Sequence, residues 1–405
     1  MKRRSKSTRT LTTAIGLSLS ALGLSASLSQ AEGIECGQIL SGGHFQLTTD
    51  LTCSCAPGAE PLPVLTVEGP AVVDLNGHVL SCESGCDGIL ITGKGAEVFN
   101  GIIRGCEDGV TVSGTGHHLI TRVTAQSNTS DGFETTSSRN FFLQNTAKEN
   151  QREGINLTGE SRGNLFVNNE ASFNGRNGFF MELVSQSPIP TQHVFLYNAA
   201  SHNTQGGFQI QTGGNYLLGN SADANGRQGL KTEGGNHNTL ILNTASSNCR
   251  DGIEIENGAN NRVQSNVAEH NGNAEACPAG NFPLGIDFRP WFYAGFDSLA
   301  GAGHNLLSKN FATDNLGCWV PPEKRTPPET AWIACVGFVP TTREQAREAL
   351  RNRNLWDENA VPVEGAYECT STNQWVNNQV DGDKTAEPEC PCVEDFGEEC
   401  VLADR

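Results

Sequence analysis

Asn243-Thr244-Ala245-Ser246-Ser247-Asn248, then Cys249-Arg250-Asp251, then Gly252-Ile253-Glu254-Ile255-Glu256: this stretch holds every marker of a unit that the chain repeats. The pattern Asn-x-Ala-x-x-Asn occurs seven times, at Asn145–Asn150, Asn169–Asn174, Asn198–Asn203, Asn220–Asn225, Asn243–Asn248, Asn266–Asn271 and Asn310–Asn315. A glycine followed by an apolar residue keeps step with it, at Gly88, Gly109, Gly132, Gly154, Gly178, Gly207, Gly229 and Gly252. The glycines stand 21, 23, 22, 24, 29, 22 and 23 residues apart, and the leading asparagines of the first six copies 24, 29, 22, 23 and 23. Both series lengthen to 29 where Ser185–Pro190 intrudes. Two marker sets that share one interruption describe one coil, stacked many times: a solenoid.

After each glycine the residues alternate. Gly154-Ile155-Asn156-Leu157-Thr158 and Gly207-Phe208-Gln209-Ile210-Gln211 read apolar in, polar out, the period of a half-buried strand. A second short strand precedes the asparagine repeat, as in Asn140-Phe141-Phe142-Leu143 and Asn215-Tyr216-Leu217-Leu218, with outward positions expected to be mostly Asn, Gly and Thr. Segments this short, rich in Asn and Gly, do not hold helices. The repeated asparagines are expected in turns, one above another, where an amide's donors and acceptor satisfy backbone groups that no sheet reaches. The alanine between them is then small because the turn is tight. The glycines supply φ freedom or close approach at the corners.

With these residues, and with the opening Val73-Asp74-Leu75-Asn76-Gly77-His78, the chain resembles the right-handed parallel β-helix repeat family of pectate lyases, polyuronate epimerases and NosD-like periplasmic proteins. The resemblance implies an all-β fold of about ten coils over residues 73–315, at about 4.8 Å per coil. It also implies action on an acidic polysaccharide, by lyase or C5-epimerase chemistry on uronate units. A non-catalytic carbohydrate-binding or cell-surface structural protein is the alternative on the same scaffold. Alginate-type epimerases carry Tyr-Gly-x-Asp-Pro-His; here Leu284-Gly285-Ile286-Asp287-Phe288-Arg289 keeps only the Gly and Asp, without the Tyr and His. The Asn-Thr-Asp and Gly-His-Gly of polygalacturonases are absent.

Residues 1–31 read as a secretory signal peptide: five basic residues, an apolar run and Ser29-Gln30-Ala31 as a small-x-small cleavage site. All 14 cysteines follow it, an even count that argues for disulfides in an exported protein. Cys36 with Cys53, and Cys86 with Cys106 in consecutive coils, are the pairs that the spacing suggests. Without the signal, 22 basic residues of the original 27 face 45 acidic ones, a net charge of −23. That balance excludes nucleic acid and anionic membranes as partners. It tolerates an acidic polysaccharide only where the basic residues are gathered.

They are gathered. Arg152, Arg176, Gln205, Arg227 and Arg250 stand two positions before successive marker glycines, so stacking predicts a guanidinium column along one edge. Such a column is a solvated edge neutralised by Glu153, Asp251 and Glu254, or a track for carboxylate or sulfate groups. Two positions past the glycine come Glu134, Asn156, Phe180, Gln209, Lys231, Glu254 and, by extrapolation, Asp287; four past it come Glu182, Gln211, Glu233, Glu256 and Arg289. Polyuronate chemistry on this face assigns Arg152, Arg176, Arg227, Arg250, Arg289 and Trp291 to substrate binding. It makes Lys231 or Tyr293 the base at C5 and Asp287 an orienting group. No cofactor is required, although Glu233, Glu254 and Glu256 suit Ca²⁺. The competing reading of those charges is a salt-bridge ladder, and His270 in its turn is structural.

Two sequons occur, at Asn128, expected to be locked in the ladder, and at Asn156, expected to point outward. Residues 32–72 form the N-terminal cap and 316–405 a disulfide-rich C-terminal cap, with a short helix over Thr342–Asn354 and one more coil echoed in Asn373–Asn378. The expected product is a secreted monomer.

Overall fold

The computed structural model describes residues 33–55, 62–83, 85–158, 161–183, 190–272 and 304–313, and the backbone of the short strands Phe296–Ser298, Leu355–Asp357, Val361–Pro362, Cys369–Thr370, Gln374–Val376 and Gln379–Val380. The expected signal peptide, the aromatic passage holding Asp287, Arg289, Trp291 and Tyr293, and the expected helix at 342–354 lie outside the described residues.

Each coil has three faces, where the sequence suggested two strands; most carry a separate strand on each, while Glu97–Arg104 and Leu119–Gln126 run unbroken through the second and third. The coil of Gly154 runs through Ile155–Leu157, Leu165–Val167 and Glu170–Ser172. Each strand pairs in parallel with its counterpart one repeat later: Ile155 opposite Phe179, Phe166 opposite Phe195, Ala171 opposite Ala200. The first face is a sheet of twelve strands, from Gln38–Ser41 to Leu355–Asp357. The second face includes Phe141–Leu143 and Tyr216–Leu218; the third is the Asn-x-Ala-x-x-Asn segment itself. That segment is therefore a strand rather than a turn. Its alanine points into the core, fully buried at Ala147, Ala171 and Ala222.

The corners explain the asparagines. A left-handed residue precedes each one: Arg139 (φ 58) before Asn140, Gln144 (φ 55) before Asn145, Glu149 (φ 57) before Asn150. A single residue there bends the chain, at a strain of about 1–3 kcal/mol for a side chain other than glycine. The N–H that follows lies outside the sheet ladders, and the asparagine one coil on accepts it: Asn145 N to Asn169 Oδ1 at 2.9 Å, Asn150 N to Asn174 Oδ1 at 3.1 Å. Each amide also donates, as Asn145 Nδ2 does to Asn169 Oδ1 (3.0 Å) and to the Ile120 carbonyl (2.9 Å). A third ladder, through Asn140, Asn164, Asn215, Asn238 and Asn261, guards the corner between the first and second faces. His118 and His193 take two of its places.

The marker glycines have no positive φ; they are there for space. A Cβ on Gly207 would lie 2.6 Å from the Gly229 carbonyl oxygen, 2.8 Å from Ala222 Cβ and 2.9 Å from Asn225 Nδ2. Glycine on the first face thus meets alanine and the ladder on the third. The rest of the core is large and stacked. Phe142, Phe166 and Phe195 lie ring on ring at 4.6 and 4.7 Å, with Phe179 on Phe208 at 4.5 Å and edge-on to Phe195 at 6.0 Å. Such pairs add to area burial where offset or edge-on geometry is met.

Outward residues of the second face are mostly not Asn, Gly and Thr, although Thr121 and Thr239 are among them. The strand phase puts Phe142 and Leu217 inside, so Phe141 and Leu143, Tyr216 and Leu218 point outward. The sequon residue Asn156 is also not available: only 4% exposed, it donates to Asp131 Oδ2 at 2.7 Å. Asn128 is buried in its ladder, as expected.

Three disulfides bind the first coils. Cys36–Cys53 is as expected; Cys86 pairs with Cys55 and Cys106 with Cys82, which replaces the Cys86–Cys106 pair. Stacking in consecutive coils does pair Cys106, but with Cys82, which lies one rung below it at the end of the third face; Cys86 lies under Glu107, where the first face begins. Cys249 is also disulfide-bonded. At the far end, Gln374–Val376 continues the second face opposite Leu306–Ser308, where the sequence echoed one more coil. Among the described residues there is no helix.

Candidate functional site

The arginine column exists. The main chain links its members rung to rung: Arg176 N to Arg152 O at 3.0 Å, Gln205 N to Arg176 O at 3.0 Å, Arg227 N to Gln205 O at 3.0 Å and Arg250 N to Arg227 O at 3.2 Å. One column of stacked backbone holds all five residues at the edge where the third face turns into the first. On the first face the register runs Glu134, Asn156, Phe180, Gln209, Lys231, Glu254, as alternation predicted. The next rung is Asp297, opposite Glu254, and not Asp287; the extrapolation to Asp287 and Arg289 skipped the inserted residues.

The two halves of the column differ. Arg152 Nε lies 3.6 Å from Glu153 Oε2 and Arg176 NH1 3.7 Å from Glu153 Oε1. Glu153 itself is 3% exposed. Burial, and then the charge of Asp131, push its carboxyl up to about 7 against the pull of both arginines. For Arg152 and Arg176 the neutralised edge is the better description.

Beside that half runs a carboxylate ladder that the sequence reading missed. Asp131 N donates to Asp108 Oδ1 at 2.8 Å and Glu153 N to Asp131 Oδ1 at 2.9 Å, while Asp108 N reaches Asp87 Oδ1 at 3.3 Å. Burial raises Asp87 to about 6 and also raises Asp108 and Glu134, each with neighbouring carboxylates adding to the rise. The signal was present: Asp87, Asp108, Asp131 and Glu153 each stand one place before a marker glycine.

Arg227 and Arg250 are half-buried. Arg227 has no ion pair within 4.0 Å among the described residues. Burial, and then the neighbouring Arg250 charge, lower its hold on its proton. The two arginines thus stand one rung apart with like charges close enough to act on each other in a partly desolvated place.

Next to them stands a closed ionic cluster. Lys231 Nζ lies 2.9 Å from Glu254 Oε1 and contacts Glu256 Oε2, while Gln228 Nε2 donates to Glu254 Oε2 at 2.5 Å. Burial works against the Lys231 ammonium, but the two carboxylates outweigh it and its pKa is raised. A lysine held as ammonium does not take a proton from C5, so the geometry argues against Lys231 as the base. Its ammonium also fills the place between Glu254 and Glu256 where a cation was expected. Glu233 accepts from Gln209 Nε2 (2.8 Å) and Gln211 Nε2 (3.0 Å); burial opposes its charge, yet these bonds and Lys231 lower its pKa overall. Among the described residues no three His, Cys, Asp or Glu side chains converge as a metal site. His270 is a corner residue at φ 55, in a structural position.

The buried histidines belong to the frame. His193 Nδ1 accepts from Asn164 N at 3.2 Å, its ring is bonded to the Ser161 backbone, and the His193 main-chain N–H donates to Asn215 Oδ1 at 2.9 Å. Burial pushes it down to about 3. His118 does the same between Ala96 N (3.0 Å) and the Ser113 carbonyl (3.1 Å). Both precede a second-face strand just as Asn140 precedes Phe141, an alignment from which their role could have been read.

A family model described as "right handed beta helix region" matches residues 87–215 and again 190–282. No curated protein sequence matches the chain. Among solved structures, the A-module of Azotobacter vinelandii mannuronan C-5 epimerase AlgE6 is similar over 87% of this chain and 88% of its own, with a TM-score of 0.61 and 14% identity. The AlgE4 A-module of the same organism gives 66% and 86%, a TM-score of 0.52 and 15% identity. The Dettilon tailspike protein gives 67% and 57%, a TM-score of 0.50 and 15% identity. At such identities the likeness is one of fold. The three-faced coils and the match over residues 87–282 make this chain a right-handed parallel β-helix protein.

Proposed function

We propose that the protein is exported and acts on an acidic polysaccharide, which it holds along the arginine edge of its first face. The pair Arg227 and Arg250 carries this reading: adjacent, half-buried cations with neighbouring charge unfavourable to Arg227. A carboxylate bound across them relieves that repulsion and accepts bidentate hydrogen bonds. Rungs recur at about 4.8 Å, the same order as the advance per sugar in an extended chain. Consecutive uronates can therefore meet consecutive rungs. Two of the similar folds are mannuronan C-5 epimerases, which supports a uronate as the sugar. The disulfides of the first coils support an oxidising compartment.

Elimination and C5-epimerisation share a first step, loss of the C5 proton, which arginines at the carboxylate assist by stabilising the charge that develops. In this reading Tyr293 is the base and Trp291 completes substrate binding, two assignments that rest on the sequence, while the register that brought Asp287 and Arg289 to this face no longer supports theirs. Non-catalytic binding is the second reading, and the engagement of Lys231 by Glu254 and Glu256 favours it.

Purified protein incubated with polymannuronate and with polygalacturonate tests both. Unsaturated uronates in the ultraviolet, or a changed C5 configuration by NMR, support catalysis. Retention on an immobilised polyuronate without either product selects the second reading. Neither turnover nor retention overturns the proposal.

A further inference from the structure

The second face bears no part of this site, yet its surface is apolar. Phe141 is 44% exposed and Tyr216 36%, and the corner residues Tyr197 and Leu242 are each 59% exposed. Between Phe141 and Tyr216 come two rungs whose outward pairs are Leu165 with Val167 and Val194 with Leu196, all half-buried. Charge bounds the apolar block on both sides. Glu97 lies two rungs before Phe141, and Arg262 two rungs after Tyr216. A sheet face of this kind presents an apolar surface of the sort that marks contact with a partner.

The block is self-complementary. We propose that two copies of the chain associate through their second faces, about a two-fold axis along the strand direction between the Leu165 rung and the Val194 rung. This operation sets each rung against the one equally far on the other side of the axis. Leu165 meets Val194 of the other copy, and Val167 meets Leu196. Phe141 meets Tyr216, an aromatic pair, and Leu143 meets Leu218. Two rungs further out Glu97 meets Arg262, and each of these contacts occurs twice. The other two-fold arrangement, with its axis along the solenoid, reverses the strand direction within each rung and sets Glu97 against Phe99 and Arg262 against Gln264. It gives neither charge an opposite partner and keeps each in the same rung as its like-charged copy, which disfavours it. Charge therefore selects the antiparallel pair in place of the monomer expected from the sequence.

Size sets the strength. Eight rungs from Glu97 to Arg262 span about 34 Å, and a three-residue strand is about 10 Å wide. Two such footprints, with the flanking corner residues, come to roughly 700–1,000 Å² in total, below the area of stable interfaces and within that of weak, transient ones. The association is thus reversible and depends on concentration.

Sedimentation velocity over a series from low to high micromolar protein tests it. The sedimenting mass moves from one chain toward two as concentration rises. Val167→Glu, beside the axis, keeps the chain monomeric with an unchanged circular dichroism spectrum. Glu97→Arg and Arg262→Glu each weaken association at least tenfold, and the two together restore it. A wild-type chain that stays monomeric throughout overturns the proposal, and a monomer that binds phosphatidylcholine vesicles assigns the face to lipid instead. Failure of the double exchange to restore association rules out the antiparallel arrangement.

Discussion

Replacing Asn198 with alanine removes one rung of a buried ladder, and the structure says what is stranded. Asn198 is 1% exposed. Its Oδ1 accepts from Asn169 N and Nδ2, both at 2.9 Å, and its Nδ2 donates to the Phe166 carbonyl and to Asn220 Oδ1, both at 3.0 Å. Two partners keep other bonds: Asn169 Nδ2 still reaches the Phe142 carbonyl, and Asn220 Oδ1 still accepts Asn198 N. Two do not. The Asn169 N–H and the Phe166 C=O lose a buried partner, at about 1–3 kcal/mol each, so the expected loss is roughly 2–6 kcal/mol. Asn198→Asp keeps the acceptor but turns a carboxylate toward two oxygens, so it is worse at pH 7 than at pH 3. Asn168→Gly, at the exposed corner just before Asn169 (φ 51), serves as control and changes stability by less than about 1 kcal/mol. Urea midpoints give the size, and amide hydrogen exchange at Asn169 localises it, since stacked repeats do not always unfold as one unit. An Asn198→Ala loss below about 1 kcal/mol, with unchanged exchange at Asn169, refutes the reasoning.

Three other outcomes follow from named contacts. His193 is held near 3 against an ordinary value of 6.5, so its contribution is complete above pH 6.5 and falls away as pH drops toward 3. At 1.36 kcal/mol per unit the full loss is about 5 kcal/mol, and His193→Asn, the usual ladder residue, flattens the melting temperature across that window. Gly207→Ala puts a Cβ against backbone and ladder atoms, which costs about 1–3 kcal/mol in denaturant titration. Lys231→Met leaves Glu254 buried without its cation, a loss of about 3–5 kcal/mol in denaturant titration. If Lys231 were a catalytic base, Lys231→Arg would abolish any turnover of polyuronate; with Lys231 held as an ion-pair partner, whatever turnover the wild type shows persists.

The fold was legible because its markers are periodic and cheap to recognise. Every asparagine, alanine and glycine at its post reports one constraint repeated along the axis, so spacing alone brought Arg152, Arg176, Arg227 and Arg250 onto a single edge. The third strand was not legible. Thr146-Ala147-Lys148 has a single inward residue, and alanine there reads as a turn until the opposing glycine is seen beside it. Pairing of charges was equally hidden: sequence placed Lys231 near Glu254 and Glu256, but only rotamers reveal that both carboxylates hold the same ammonium. The register beyond Glu254 failed for another reason. Insertions lengthen a coil without altering its rung, so counting residues selected Gly285-Ile286-Asp287 where the strand is Phe296–Ser298.

Calorimetric titration of length-graded oligouronates against wild type and an Arg227→Gln, Arg250→Gln variant tests the functional claim most directly. Glutamine already occupies the column at Gln205, so the substitution spares the fold. Affinity that rises with oligomer length, weakens with added salt, and falls at least tenfold in the variant is the predicted result. Equal affinity in the two proteins, or none in either, contradicts it.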